Sequence, residues 1–264
     1  GSSERNMILD RIIETKKEEV AALKRLTSAA ALEQTIATLS PCRDFVAALC
    51  ASPCAIIAEV KCASPSRGRL VDPFDPIAIA KTYEQNGAAA ISVLTDEQYF
   101  LGHKDDLRQI RSEVAIPVLR KDFMIDPIQL FETRALGADA VLLIVRILGK
   151  SLAGFIRLAE NLGLHALVEV HTEKELDAAL AAGARIIGIN NRNLDTFVTD
   201  LNTSRVLADR IPAGIPVVAE SALQSRHDLE NLMQAGIHAF LIGEGLVTAR
   251  DIGRKLKTFL GETP

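Results

Sequence analysis

Lysine, glutamate and asparagine recur in this chain at the ends of apolar runs. The runs are AIIAEVK, which carries Glu59 and Lys61; IPVLRKDF, with Lys121; LHALVEV, with Glu169; RIIGINN, with Asn190; and IPVVAES, with Glu220. A β-strand alternates faces residue by residue. Ile57, Glu59 and Lys61 therefore share a face, as do Leu119 with Lys121, Leu167 with Glu169, and Val218 with Glu220. Burying an ion is costly unless it is paired, so polar groups from five separate segments are expected to converge on one site. A lysine beside carboxylates stays protonated and can donate a proton. A glutamate enclosed by apolar residues holds its proton more tightly and can serve as acid or base. This is the acid–base equipment of an enzyme. The alternative is a buried salt-bridge network without chemistry, which would have no need to gather at one end of the strands.

Four further segments add ligand-binding potential. CASPSRGRL follows the first run and could wrap an anion with Ser64, Ser66 and backbone amides. Glu220-Ser221-Ala222 and Ile242-Gly243-Glu244-Gly245 follow the apolar segments at 215–220 and 238–242, where small residues and amides can approach a phosphate. Arg192, in GINNRNL, could bind a carboxylate through two hydrogen bonds or stand as a surface cation. None of the five histidines is expected to be catalytic.

The elements that must position these groups alternate regularly. Strands are expected near 55–61, 89–95, 116–121, 139–145, 165–170, 185–190, 215–220 and 238–242, with amphipathic helices between them. Eight βα units predict an α/β fold of the (β/α)8 TIM-barrel class, in which strand C-termini form the catalytic face. A doubly wound sheet is the alternative. Gly87, Gly137, Gly183 and Gly236 stand where helices should stop. Pro117 and Pro216 open two strands. Asp75 before Pro76 and Asp126 before Pro127 read as helix N-caps, and Thr172 with Glu175 as a capping box. Residues 4–50 stand outside the repeat as a helical N-terminal extension. One helix is expected over ILDRIIETKKEEVAALK and a shorter one in the forties. Such an extension could cap the barrel bottom, cover the mouth or bind a partner. The whole chain, 1–264, reads as one barrel domain with this extension.

Bulk properties narrow the class. With 264 residues, 48% hydrophobic and 24% charged, the chain has ample material for a large core. A net charge of -4 disfavours nucleic acid as a partner. No apolar run approaches the roughly 18 residues of a membrane span, and the opening is polar and charged, so a cytoplasmic setting is expected. Cys42, Cys50, Cys54 and Cys62 are expected to be reduced thiols, without a metal site.

Seven segments, EVKCASPSRG, SVLTDEQYFLG, RKDFMIDPIQ, DAVLLIVRIL, LVEVHTEKEL, IGINNRNL and AESAL, in this order, closely resemble the indole-3-glycerol phosphate synthase family. The resemblance covers nearly the whole chain, extension included. It implies a (β/α)8 barrel that converts 1-(2-carboxyphenylamino)-1-deoxyribulose 5-phosphate to indole-3-glycerol phosphate with loss of carbon dioxide and water, using no metal or organic cofactor. The partner it implies is this small phosphorylated substrate; it specifies no partner enzyme. By motif, Lys121 resembles the general acid and Glu169 the general base or charge stabiliser. Glu59 and Lys61 match the pair used in binding and dehydration, and Asn190 and Glu220 the groups that hold the sugar chain. Ser64 and Arg192 fall at the anthranilate end, and Ser221, Ala222, Gly243 and Glu244 at the phosphate. Phe100, Phe123, Leu142 and Leu194 match the lining around the aromatic ring. Cys62, Ala222 and Gly245 depart from the pattern: a lysine, a glycine and a helix former are more usual there. These departures bear on affinity rather than reaction type. Another phosphate-binding barrel, such as phosphoribosylanthranilate isomerase, would carry aspartate and cysteine at its strand ends. A silent scaffold barrel would not need the Lys61, Lys121 and Glu169 set.

Overall fold

Strands buried on both faces organise the molecule. The computed structural model describes the backbone of residues 2–262 and the side chains of residues 8–262. Eight parallel strands close into a barrel: β1 (Ala55–Val60), β2 (Ala90–Leu94), β3 (Val118–Lys121), β4 (Ala140–Ile144), β5 (His165–Val170), β6 (Ile187–Asn190), β7 (Val217–Glu220) and β8 (Ala239–Ile242). β8 pairs with β1, so the sheet has no free edge. Each strand lies inside the range expected from sequence, and the doubly wound alternative is excluded by closure.

Two apolar clusters follow from the strand period. One face of each strand packs outward against the helices, through Ile56, Ala58, Ile91, Val118, Val141 and Val168 among others. The other face fills the barrel with Ile57, Ala90, Leu119, Ala140, Leu142, Leu167, Val218 and Leu241. The polar strand ends are the next residues on that inner face. Gly87 and Gly137 end helices in the left-handed region (φ +98° and +96°), which glycine tolerates, and Gly183 and Gly236 repeat the device. The caps at Asp75 and Asp126 form, and Asp126 also completes a capping box with Gln129. Thr172 caps its helix, but the box is not closed as expected: Glu175 accepts from the backbone N–H of His171, one residue before the cap.

The extension holds three helices, α1 (Ser2–Leu26), α2 (Ala29–Ile36) and α3 (Phe45–Cys50). α2 was not anticipated; it is capped by Ser28 and lies against the helix Pro127–Ala135. Of the three roles open to the extension, two are filled by different helices. α3 closes the bottom, where Phe45 and Leu49 enter the inner cluster. Burying side chains of that size stabilises by about 2–3 kcal/mol each. The preceding loop is clasped by buried Asp139, which accepts from the Arg43 N–H (2.7 Å), the Val118 N–H (2.8 Å) and Arg111 (2.6 Å). α1 instead reaches the mouth, with Ile8, Leu9 and Ile12 beside the catalytic-face cavity. All four cysteines are free thiols. Among the described residues, no helix is long and apolar enough to cross a membrane.

Candidate active site

Glu59 is the centre of the polar strand ends. Its side chain is 1% exposed, and its carboxylate receives the Lys121 ammonium at 2.8 Å, the Ser92 hydroxyl at 3.0 Å and the Lys61 ammonium at 3.8 Å. The sheet register sets this up: Glu59 lies level with Ser92, Leu94 with Lys121, Ile144 with Glu169, and Asn190 with Glu220. Ser92 was missed by sequence reasoning. Its signal was the inner-face parity with Ala90 and Leu94 on β2. Tyr83, from the helix Pro76–Gln85, fixes the same strand end by donating to the Glu59 carbonyl (2.9 Å).

The charges are mutually conditioned. Burial alone would push the Glu59 carboxyl up, but the Lys121 and Lys61 ammoniums hold it below the ordinary carboxylate value. Burial works against a charged Lys121, yet Glu59, Glu220 and Glu169 together raise its affinity for the proton. Lys61 goes the other way. Burial lowers it, and the Glu59 carboxylate offsets only part of the fall, because the Lys121 and Arg192 charges act in the same direction as burial. Glu220 is pushed well above the usual range by burial and by the Glu169 carboxyl group, which shares a hydrogen bond with it. Glu220 Oε1 is buried without a hydrogen-bond partner. The site thus holds a lysine with heightened affinity for its proton, a lysine that gives up its proton more readily, a carboxylate between them that is the harder to protonate, and a second carboxyl group, Glu220, that takes a proton more readily than usual.

Two cavities meet at these groups. One is largely apolar, walled by Phe100, Phe123, Leu94, Leu142, Ile144, Leu194 and Phe197 and roofed by α1. The rings of Phe100 and Phe123 lie 6.0 Å apart, and the Lys61 ammonium sits 5.8 Å from the Phe100 centroid. The other cavity is polar and lined by small residues, Ser221, Ala222, Gly243 and Gly245, with Glu244, Arg67 and Lys255. Lys61, Lys121, Arg192 and Ser221 border both. Glu169, Asn190 and Glu220 face the apolar cavity, and Glu59 the polar one. All sixteen residues singled out from sequence lie on one cavity or the other.

Some expectations change. Ser64 and Ser66 line the apolar cavity, and Ser64 accepts from the Arg67 N–H. The 62–70 loop therefore offers Arg67, not its serines, to the polar cavity, where Arg67 pairs with Glu244 at 2.7 Å. Cys62 is buried, its thiol turned to the Val71 carbonyl, and it borders neither cavity. The charge lost relative to a lysine there lies off both cavities. Ser221 and Ala222 both adopt left-handed backbone (φ +71° and +61°), which explains the usual preference for glycine at the second position. At Gly245 a side chain would crowd the Leu223 carbonyl at 3.0 Å, so glycine fits this chain. His171 is not idle: its Nδ1 lies 2.6 Å from the Asn190 carbonyl and supports that strand end. Asn190 itself is oriented by the Ser221 hydroxyl (2.8 Å) and the Arg192 N–H (2.9 Å).

The family described as indole-3-glycerol phosphate synthase matches residues 9–259 of this chain. The chain belongs to the indole-3-glycerol phosphate synthase family. It is 51% identical over 242 residues to the indole-3-glycerol phosphate synthase of Chlorobium chlorochromatii, covering 90% of this chain and 94% of that one. It is 44% identical over 254 residues to that of Desulforamulus reducens, covering 95% and 96%. The activity is accordingly that of a carbon–carbon lyase of tryptophan biosynthesis. Solved structures share the fold at low identity. N-(5'-phosphoribosyl)anthranilate isomerase from Pyrococcus furiosus gives a TM-score of 0.58 at 14% identity, covering 79% of this chain and 97% of that one. N-acetylmannosamine-6-phosphate 2-epimerase from Clostridium perfringens gives 0.60 at 17%, covering 77% and 92%.

Proposed function

We propose that the chain binds 1-(2-carboxyphenylamino)-1-deoxyribulose 5-phosphate across the two cavities and closes the indole ring between them. The observation that carries this reading is the junction. An aromatic-lined cavity and a small-residue polar cavity meet at Lys61, Lys121 and Arg192. The substrate has the matching order: ring, reacting carbons, phosphate.

The proton inventory suits the steps. When the ring carbon attacks the carbonyl carbon, the carbonyl oxygen becomes a hydroxyl, and Lys121 is the protonated donor for it. Loss of carbon dioxide returns its bonding electrons to the ring and restores aromaticity. Dehydration then needs an acid for the departing hydroxyl and a base for the neighbouring carbon–hydrogen bond. Lys61, whose proton is more labile, and the Glu59 carboxylate stand 3.8 Å apart for this exchange. Glu169 stabilises charge during closure or takes a proton, while Asn190 and Glu220 hold the sugar hydroxyls. Ser64 and Arg192 hold the carboxyphenyl end. Ser221, Ala222, Gly243 and Glu244 surround the phosphate, with Glu244 kept neutralised by Arg67. No metal or organic cofactor is needed by this scheme. We assign the chain to the cytoplasm, with this small molecule rather than nucleic acid or membrane as its partner, and read the barrel with its extension as one working unit.

Supplying the substrate and following indole fluorescence tests the reading; no product at high enzyme and substrate concentrations would refute it. Two substitutions probe the polar cavity. Ala222→Gly is expected to lower KM with little change in kcat. Its stability change should stay under about 1 kcal/mol, because relief of left-handed strain opposes the freer unfolded chain. An unchanged KM would show that the methyl is harmless. Gly243→Ala would place a methyl 2.8 Å from Glu59 Oε1. Steady-state kinetics should show kcat falling roughly tenfold as Glu59 is pushed off Lys121; wild-type kcat would mean that Glu59 yields without consequence.

A further inference from the structure

Lys16 is a buried cation outside the chemistry. It lies on α1 and is 1% exposed, whereas the next residue, Lys17, is 61% exposed. Its ammonium meets Asp96 at 2.5 Å, Asp122 at 3.0 Å and Glu19 at 2.9 Å. Each of the two buried aspartates has a second task. Asp96 accepts the backbone N–H groups of Tyr99 (2.7 Å) and Phe100 (3.0 Å). Asp122, directly after Lys121, accepts the N–H of Phe123 (2.7 Å) and the Thr95 hydroxyl (2.6 Å). The two phenylalanines so oriented are the aromatic wall of the apolar cavity. A second tie runs between α1 and the same turn: the Tyr99 hydroxyl lies 2.8 Å from Thr15 Oγ1 and donates to the Arg11 carbonyl at 3.2 Å.

We propose that Lys16 is a positioning residue that fixes α1, Phe100 and Phe123 in one arrangement and thereby sets affinity for the aromatic end of the substrate. The inference rests on the reading that the substrate ring occupies the apolar cavity. Without the ammonium, Asp122 keeps the Arg120 guanidinium at 3.6 Å, but Asp96 loses the cation that joins it to Asp122, and a buried carboxylate left without its cation moves or takes up a proton. Either response shifts the Phe100 turn against the end of β3 and loosens α1 from the mouth. The polar cavity shares none of these residues, so phosphate binding is insulated from the change.

The test compares Lys16→Met with wild type by steady-state kinetics, with inorganic phosphate as competitive inhibitor. KM is expected to rise roughly tenfold or more, kcat to stay within about threefold, and the phosphate inhibition constant to stay unchanged. A wild-type KM, or phosphate binding that weakens in parallel, would overturn the inference while leaving the proposed function standing. Absence of turnover in the wild type would overturn both. Should Lys16→Met fail to fold, Tyr99→Phe decides, because it cuts the second tie without stranding a charge. Its KM should rise roughly threefold at constant kcat and constant phosphate inhibition, and an unmoved KM would refute the inference.

Discussion

Lys121→Ala is expected to lower turnover by roughly 100-fold or more, the scale of a lost general acid. Lys121 is the cation with the most reason to be protonated when substrate arrives, since Glu59, Glu220 and Glu169 all favour its charged form. It also borders both cavities, so it stands beside any atom that links a ring in one to a phosphate in the other. Ring closure precedes decarboxylation, so carbon dioxide release and indole formation should fall together. A variant that releases carbon dioxide at the wild-type rate but makes little indole would move Lys121 to the dehydration step. Turnover within tenfold of wild type would remove it from the chemistry. KM should change less than kcat, because the cavity walls that hold ring and phosphate remain in place.

What could be read from sequence followed the strand period. Ile57 and Glu59, Leu119 and Lys121, and Leu167 and Glu169 sit two residues apart, and two is the period at which a strand returns to one face. Wherever the first of a pair fills the barrel, the second must stand above it at the catalytic face. That rule placed the acid–base set without any knowledge of side-chain contacts. It did not reach Ser92, a small polar residue that a core accepts without comment until its hydroxyl is seen on Glu59. Nor did it reach Lys16. In a helix reading ETKKEEV, Lys16 and Lys17 are equivalent by composition; Lys16 shares the face of Ile12 and Val20, but a lysine there reads as a rim cation until Asp96 and Asp122 are seen to meet it from the barrel. The helix α2 was missed for a local reason: eight residues with no buried side chain give no apolar stripe to detect. The 62–70 loop reads from its serines as an anion wrap; those serines line the apolar cavity, and its arginine, which the sequence does not single out, reaches the polar cavity and Glu244.

Glu59→Gln should lose activity by a similar factor to Lys121→Ala, but with a pH signature of its own. In the folded protein Glu59 is held below its ordinary value of 4.5, so the stability it contributes is present above that pH and fades as pH falls through the depressed value. The amide keeps the Ser92 contact but removes the charge from between two lysines. The loss of stability at pH 7 is expected to be about 3 kcal/mol, at the low end for breaking a buried pair, because Lys121 keeps Glu169 and Glu220 as partners. Denaturant unfolding at pH 7 and at pH 4 should show the deficit shrinking at the lower pH. Lys121, meanwhile, loses the strongest of the charges that raise it. Its proton then leaves at a lower pH, and the basic limb of the residual kcat profile should move towards neutrality. A glutamine variant whose basic limb stays at the wild-type position would show that Lys121 does not depend on Glu59. An uncharged residue on β1 would then serve as well, and the costly burial of a carboxylate between two ammoniums would need another cause.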